Sequence, residues 1–244
     1  MVIAPATVRA ADVPALVERI KPAIVAVGTL ERTRSPQFEF RGTGFAVGDG
    51  TTIVTNAHVV PGVIDPARRE QVGILVPQKG VAGGTFREAR LLAMDPATDL
   101  ALLKVGGDPL PTLKVADSSG VREGQEVLFS GFPIGSLLGT FPATHRAMVA
   151  AIAPIAIPQA RSAELDPKVI RRLAQGSFDI FQLDGTAYPG NSGSPLIDPA
   201  TGEVIGVVNM VLVKSTKEAT LAQPSGITYA VPSRFLVELL AKPQ

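Results

Sequence analysis

Short apolar runs punctuated by turn residues dominate this chain. Val, Ile, Leu and Phe gather in stretches of three to ten residues bounded by Gly, Pro or Asp, the pattern of strands rather than of amphipathic helices. By that rule strands are predicted near residues 23–30, 38–47, 52–56, 72–77, 86–94, 100–105, 127–131, 147–152, 178–183, 195–197, 204–213 and 227–231. Helical periodicity is confined to three places. Asp12 can cap a helix over 13–21, with Pro14 in its first turn, Pro22 stopping it, and Leu16, Val17 and Ile20 on one face. Asp166-Pro167 starts a second short helix ending before Gly176, in the long connection 153–177, where packing is the first reading and a lid or an oligomer contact the alternatives. Ser233 caps a third over 234–240. A dozen strands with so few helices between them argue against a parallel sheet, whose every step needs a crossover, and for antiparallel barrels or a sandwich. The polar stretch 116–125, with Ser118, Ser119, Gly120 and Gly124, divides the strands about evenly and is the predicted linker between two halves.

Composition narrows the function classes. With 244 residues, 45% of them hydrophobic, 24 Gly and 21 Pro, the chain can bury a full core and make many turns. A net charge of +1 gives no field that would draw a polyanion, so no nucleic-acid partner is expected, and Arg68-Arg69 and Arg171-Arg172 read as solvated faces. The absence of cysteine removes disulfides, thiolate metal sites and a thiol nucleophile together, and suits an oxidising compartment without requiring one. No run approaches the roughly 18 uncharged apolar residues of a membrane span, and residues 1–11 lack a signal peptide's basic start and apolar stretch, so a soluble chain is expected. Gly80-Val81-Ala82-Gly83-Gly84 is not followed by the Lys-Ser or Lys-Thr of a phosphate loop and reads as a hairpin connection.

Candidate chemistry begins with what is scarce. The chain has two histidines, the side chain best suited to exchange protons near neutral pH. His58 ends an apolar strand, and His145 falls in a connection containing Pro and Gly. They stand too far apart, without acids at ligand spacing, to hold a metal, and no cofactor is expected. Pro189-Gly190-Asn191-Ser192-Gly193-Ser194-Pro195 is a tight turn between strands. Its glycines permit close approach by a substrate, and it presents the Gly190 and Ser192 amides in one direction, as stabilisation of an acyl-transfer oxyanion requires. A serine hydroxyl needs a base to take its proton, and the base needs an acid to hold its tautomer. Asp99, where a turn enters the apolar run Leu100-Ala101-Leu102-Leu103, can supply that carboxylate. Each residue alone reads more simply as a turn or surface residue; together, in the order His, Asp, Ser, they suggest a triad.

Thr55-Asn56-Ala57-His58-Val59-Val60, Thr98-Asp99-Leu100-Ala101-Leu102-Leu103-Lys104-Val105 and Pro189-Gly190-Asn191-Ser192-Gly193 resemble the three catalytic motifs of trypsin-like serine peptidases, nearest to the HtrA/Deg branch. Gly42-Thr43-Gly44-Phe45, Gly131-Phe132-Pro133-Ile134-Gly135 and Gly226-Ile227-Thr228-Tyr229-Ala230-Val231-Pro232 extend the likeness over most of the chain from about residue 11 onward. The resemblance implies an all-β fold of two six-stranded antiparallel barrels with short terminal helices: a leading segment 1–22, a first barrel in 23–117 with His58 and Asp99, and a second in 118–244 with Ser192. It implies His58 as general base, Asp99 as its orienting partner, Ser192 as nucleophile, and the Gly190 and Ser192 amides as the oxyanion hole. Polypeptide substrates, specifically unfolded or damaged proteins, an extracytoplasmic or periplasmic location and assembly into a homo-oligomer such as a trimer are implied likewise.

The chain also departs from that family's pattern. Ser194 stands where a second glycine is usual, and Asn191 where digestive enzymes carry an acid that pairs with a freed amino terminus. No PDZ module lies between the last helix and Gln244, as expected either of a protease-only member of the family or of a piece of a longer chain. By alignment Thr186 takes the place of a pocket acid, and Asn209, Met210, Val211 and Leu212 form a pocket wall. An apolar wall without a fixed charge disfavours Lys or Arg, since an unpaired buried charge is costly, and cleavage after small or medium aliphatic residues is expected. The alternatives are a proteolytically weak binding or chaperone-like module on the same fold and, further off, an esterase, to which an open cleft suited to extended peptides is less fitting.

Overall fold

The computed structural model describes residues 12–62, 64, 68–78, 81–135, 141–154, 178–209 and 227–242. Asp12 caps helix α1 (Val13–Ile20), its carboxylate accepting from the Ala15 amide at 3.2 Å, with Pro14 in the first turn. Leu16 and Ile20 are buried, and a single 3-10 turn, Lys21–Ala23, with Pro22 inside it, leads into the first strand.

Strands β1 (Ile24–Leu30), β2 (Phe38–Val47), β3 (Thr52–Asn56), β4 (Gln71–Gln78), β5 (Val81–Asp95) and β6 (Leu100–Val105) close an antiparallel barrel in the order β1-β2-β3-β6-β5-β4. Strands β7 (Glu126–Gly131), β8 (Ala143–Pro154), β9 (Asp179–Asp184), β10 (Pro195–Ile197), β11 (Val204–Asn209) and β12 (Ile227–Pro232) close a second in the order β10-β11-β12-β9-β8-β7. Helix α2 (Ser233–Ala241) ends the fold. The two-barrel architecture expected from the resemblance is the one observed.

Each barrel has its own core, Val25, Val27, Ile53, Ile74 and Leu103 in the first and Val127, Phe129, Val149, Leu183 and Val208 in the second. A third apolar cluster, including Ile24, Ala26, Phe45, Leu128, Ile197, Val207 and Leu236, joins residues of both barrels and α2. This explains the unbroken apolar runs: on β1, Val25 and Val27 enter the barrel core while Ile24 and Ala26 join the shared cluster, so successive residues are buried on opposite faces. The two barrels are thereby packed together, and the turns after β3, before β6 and before β10 can meet.

Some sequence-based boundaries move. His145 does not lie in a connection, because β8 begins at Ala143 and pairs His145 with Phe129. The polar Thr144-His145-Arg146 hid this strand start; Thr144 is held there through a hydroxyl contact with Ser130 at 3.1 Å. The glycine-rich hairpin is shorter than expected, since β5 starts at Val81, paired with Gln78. Ser233 is not the cap of α2: it is the helix's first residue, and its hydroxyl donates to the Ala116 carbonyl at 2.6 Å, tying the helix to the segment between the barrels. The helix expected near 166–176 and the last residues of the strand expected at 204–213 lie outside the described residues. Among the described residues no helix is long and apolar enough to cross a membrane.

Candidate active site

The strand β3 ends at Asn56, and a single 3-10 turn, Ala57–Val59, carries His58 away from it. Asp99 sits in the turn between β5 and β6 with φ +57°, a left-handed conformation that Asp tolerates better than most residues. That conformation lets one residue face β3 with both its backbone and its side chain. The Asp99 carbonyl accepts from the Ala57 amide at 3.0 Å and from Asn56 Nδ2 at 3.0 Å. Its carboxylate Oδ1 accepts from the His58 backbone amide at 2.9 Å, and Oδ2 lies 2.6 Å from His58 Nδ1. Ionised Asp99 can only accept, so Nδ1 carries the proton of that bond and the neutral ring keeps a lone pair on Nε2.

A further donor completes the carboxylate shell. Asn209, buried at the end of β11, donates from Nδ2 to Asp99 Oδ2 at 2.7 Å. Its sequence position suggested a substrate-pocket wall; its side chain reaches across the barrel junction to the acid. The signal available in the sequence was a polar amide closing the apolar run Val204-Ile205-Gly206-Val207-Val208, since a buried amide needs a partner.

The turn that carries Ser192 is held almost entirely by its backbone. The Asn191 amide donates to the Tyr188 carbonyl at 2.9 Å, with Gly190 at φ +104°, the conformation that glycine allows at the third position of such a turn. Ser194 N donates to Asn191 O at 3.0 Å and Gly193 N to Val208 O at 2.9 Å. The Pro189 carbonyl accepts from Ile134 N at 2.7 Å. From Gly190 to Ser194, the two amides without an acceptor among the described residues are those of Gly190 and Ser192. Ser192 itself is 6% exposed.

The turn is also sewn to the first barrel. Thr43 N on β2 donates to the Ser192 carbonyl at 2.8 Å. Gly42, next along β2, has space for no side chain: a Cβ there would stand 2.6 Å from the Val59 side chain and 2.9 Å from the Ser192 carbonyl. The neighbour of His58 and the backbone of Ser192 thus flank the same glycine. No hydrogen bond joins His58 to Ser192 among the described residues; catalytic contacts of this kind are commonly longer without substrate.

Behind the turn, Asn191 and Ser194 are fully buried, and the Asn191 carboxamide and Ser194 hydroxyl have no hydrogen-bond partner. The Ser194 Oγ stands 2.0 Å from where a Cβ on residue 131 would lie, so the unusual serine is accommodated by Gly131. Thr186 is half-buried beside buried Ala187, whose amide donates to Thr228 Oγ1 at 2.9 Å. Met210, Val211 and Leu212 lie outside the described residues. His145 is half-buried and stacked on Phe129 with ring centroids 4.8 Å apart, its Nε2 is unpartnered, and burial holds the imidazole's pKa below its ordinary value. Among the described residues no group of His, Asp and Glu could hold a metal ion.

The trypsin-like peptidase domain family matches residues 42–207 of this chain. Among similar proteins, serine protease HTRA2, mitochondrial, of Bos taurus is 33% identical over 229 residues, covering 92% of this chain and 42% of the relative. A protein named probable periplasmic serine endoprotease DegP-like, of Marinomonas sp. (strain MWYL1), is 29% identical over 82% of this chain and 34% of its own length. This chain therefore spans less than half the length of these relatives. A solved structure of the HtrA-type protease AlgW with tripeptide aligns with TM-score 0.65 and 24% identity, covering 93% of this chain and 62% of that one.

Proposed function

The chain belongs to the trypsin-like peptidase family, and from that membership we propose that it is a serine endopeptidase working through Ser192, His58 and Asp99. The observation that carries the proposal is the accounting of amides in the nucleophile turn. The two N–H groups with no acceptor among the described residues, those of Gly190 and Ser192, are free to serve as the donors that an oxyanion at the serine needs.

In this mechanism His58 Nε2 takes the Ser192 proton as Oγ attacks the scissile carbonyl carbon. The carbonyl electron pair moves to oxygen, and the oxyanion is held by the Gly190 and Ser192 amides. Asp99 stays ionised, fixes the His58 tautomer and stabilises the imidazolium. The imidazolium then protonates the leaving amine as the C–N bond breaks, giving an acyl-enzyme. A water molecule, deprotonated by His58, repeats the attack; collapse releases the carboxylate product and returns the proton to Ser192.

Unfolded or damaged polypeptides are the substrate class, cut after small or medium aliphatic residues. Thr186 places no fixed charge in the pocket, so a basic side chain would be left unpaired there. A compartment outside the cytoplasm accords with the name of the periplasmic DegP-like relative. A homo-oligomer, trimeric by the resemblance, is the assembly to look for by sedimentation equilibrium.

The experiment is digestion of an unfolded protein such as casein, with Ser192→Ala as control and the cut sites mapped by mass spectrometry. Cleavage lost in the control and concentrated after aliphatic residues is the expected result. Binding of casein without cleavage by either protein would favour a chaperone-like module instead.

A further inference from the structure

Four consecutive peptide planes make up the nucleophile turn, and they fall into two alternating sets. The planes Pro189–Gly190 and Asn191–Ser192 carry the two unpaired amides, and their carbonyls are held by Ile134 N and Ser194 N. The intervening planes, Gly190–Asn191 and Ser192–Gly193, are anchored at both ends: their amides donate to Tyr188 O and Val208 O. Their carbonyls are both held by one residue of the other barrel. Thr43 Oγ1 donates to Gly190 O at 2.7 Å, and Thr43 N donates to Ser192 O at 2.8 Å.

We propose that Thr43 is a positioning residue for the oxyanion hole, a side-chain and main-chain staple through which the first barrel sets the orientation of the Gly190 and Ser192 amides in the second. This rests on the peptidase reading above and adds a residue to it. Thr43 is fully buried, and its hydroxyl is bonded both ways: it donates to Gly190 O and accepts from Phe132 N at 3.1 Å. The strand that carries it is fixed in turn by Thr55 Oγ1, which donates to Thr43 O at 2.7 Å. Close approach of the two barrels is built for this contact, since a Cβ on Gly193 would fall 2.0 Å from Thr43 O.

The chemical consequence follows from the planarity of the peptide unit. A carbonyl pinned in one direction fixes the plane it belongs to, and each fixed plane limits the torsions through which the next can rotate. Releasing Gly190 O removes one of the anchors between the two donors, so both amides sample directions away from a point some 3 Å off. Substrate ground-state binding, made by other groups, is untouched. The loss should appear in kcat, and less strongly than the 10²- to 10³-fold that removal of an oxyanion donor itself costs, on the order of 10- to 100-fold.

The test compares Thr43→Val, which replaces the hydroxyl with a methyl of similar shape, with Thr43→Ser, which keeps it. The readouts are kcat and KM on a peptide ester, and affinity for a peptide aldehyde, whose adduct with Ser192 bears the tetrahedral oxyanion. The valine variant should lose kcat and aldehyde affinity by the same factor while KM holds, with the pH profile unmoved because His58 and Asp99 are not touched; the serine variant should recover most of both. Should the valine variant fail to fold, Thr43→Ala, which leaves room for water beside Gly190 O, is judged by the same criteria. A Thr43→Val or Thr43→Ala enzyme with kcat near wild type, a serine variant as poor as valine, or a loss confined to KM overturns the role of Thr43 alone. A wild-type protein with no turnover dependent on Ser192 overturns the peptidase reading and this one with it.

Discussion

His58 follows β3 of the first barrel with Nδ1 2.6 Å from Asp99 Oδ2, whereas His145 lies along β8 of the second, stacked on Phe129 with Nε2 buried and unpartnered. Both are partly screened from solvent. What separates them is a fixed carboxylate. Asp99 accepts from the His58 backbone amide and from Asn209 as well as facing the ring, so its carboxylate is held in one orientation. His145 has the burial without the partner, and burial alone disfavours its charged form. A histidine becomes a base through the group behind it.

The comparison breaks most visibly by exchange of roles. His58→Ala should cut kcat by about 10⁴- to 10⁶-fold, and His145→Phe, which keeps an aromatic ring against Phe129, should leave turnover near wild type, both read on the same ester substrate. Asp99→Asn comes next, with about 10⁴-fold lost because the amide can hold the wrong tautomer of His58. Asn209→Leu removes one charge-assisted bond to Asp99, worth about 1.5–3 kcal/mol, and should lower kcat by roughly 10- to 100-fold with KM little changed.

The sequence made parts of this picture legible and hid others for physical reasons. Strands β2, β3, β6 and β10 were bounded correctly because each carries an apolar run flanked by turn residues such as Gly48, Asp99 or Gly193. The start of β8 was not, since Thr144, His145 and Arg146 carry no apolar alternation and are strand only through pairing with β7. His58, Asp99 and Ser192 could be singled out because the chemistry needs those residue types in strand-edge turns. The carboxamide of Asn209 could not be assigned to Asp99, 110 positions away, because closure of two barrels brings them together. Thr43 was visible only as part of a motif, its two bonds to the nucleophile turn being wholly tertiary.

The remaining contrasts are smaller and concern stability. Folded His145 resists protonation, whereas the unfolded residue takes a proton near pH 6.5, so its contribution is full above about 6.5 and is lost as pH falls below that value. Denaturant midpoints taken between about pH 7 and 5 should therefore fall less steeply in His145→Phe than in wild type. The Lys104–Asp49 ion pair is the counterpart of the His58–Asp99 one with an exposed instead of a buried carboxylate, 54% against 9%: Lys104 holds the Asp49 carboxyl well below its usual range. The Asp49 carboxylate is more than half exposed, so Lys104→Met should cost no more than about 1 kcal/mol, less still at high salt, and leave turnover unchanged.

The proposed chemistry needs Ser192 as nucleophile and His58 as the base that activates it. Treating wild type, His58→Ala and His145→Phe with a fluorophosphonate and mapping the adduct by peptide mass spectrometry reads both at once. A single adduct on Ser192 in wild type and His145→Phe, and almost none in His58→Ala, is the expected result. An adduct on another residue, or labelling of Ser192 that survives the loss of His58 undiminished, would contradict it.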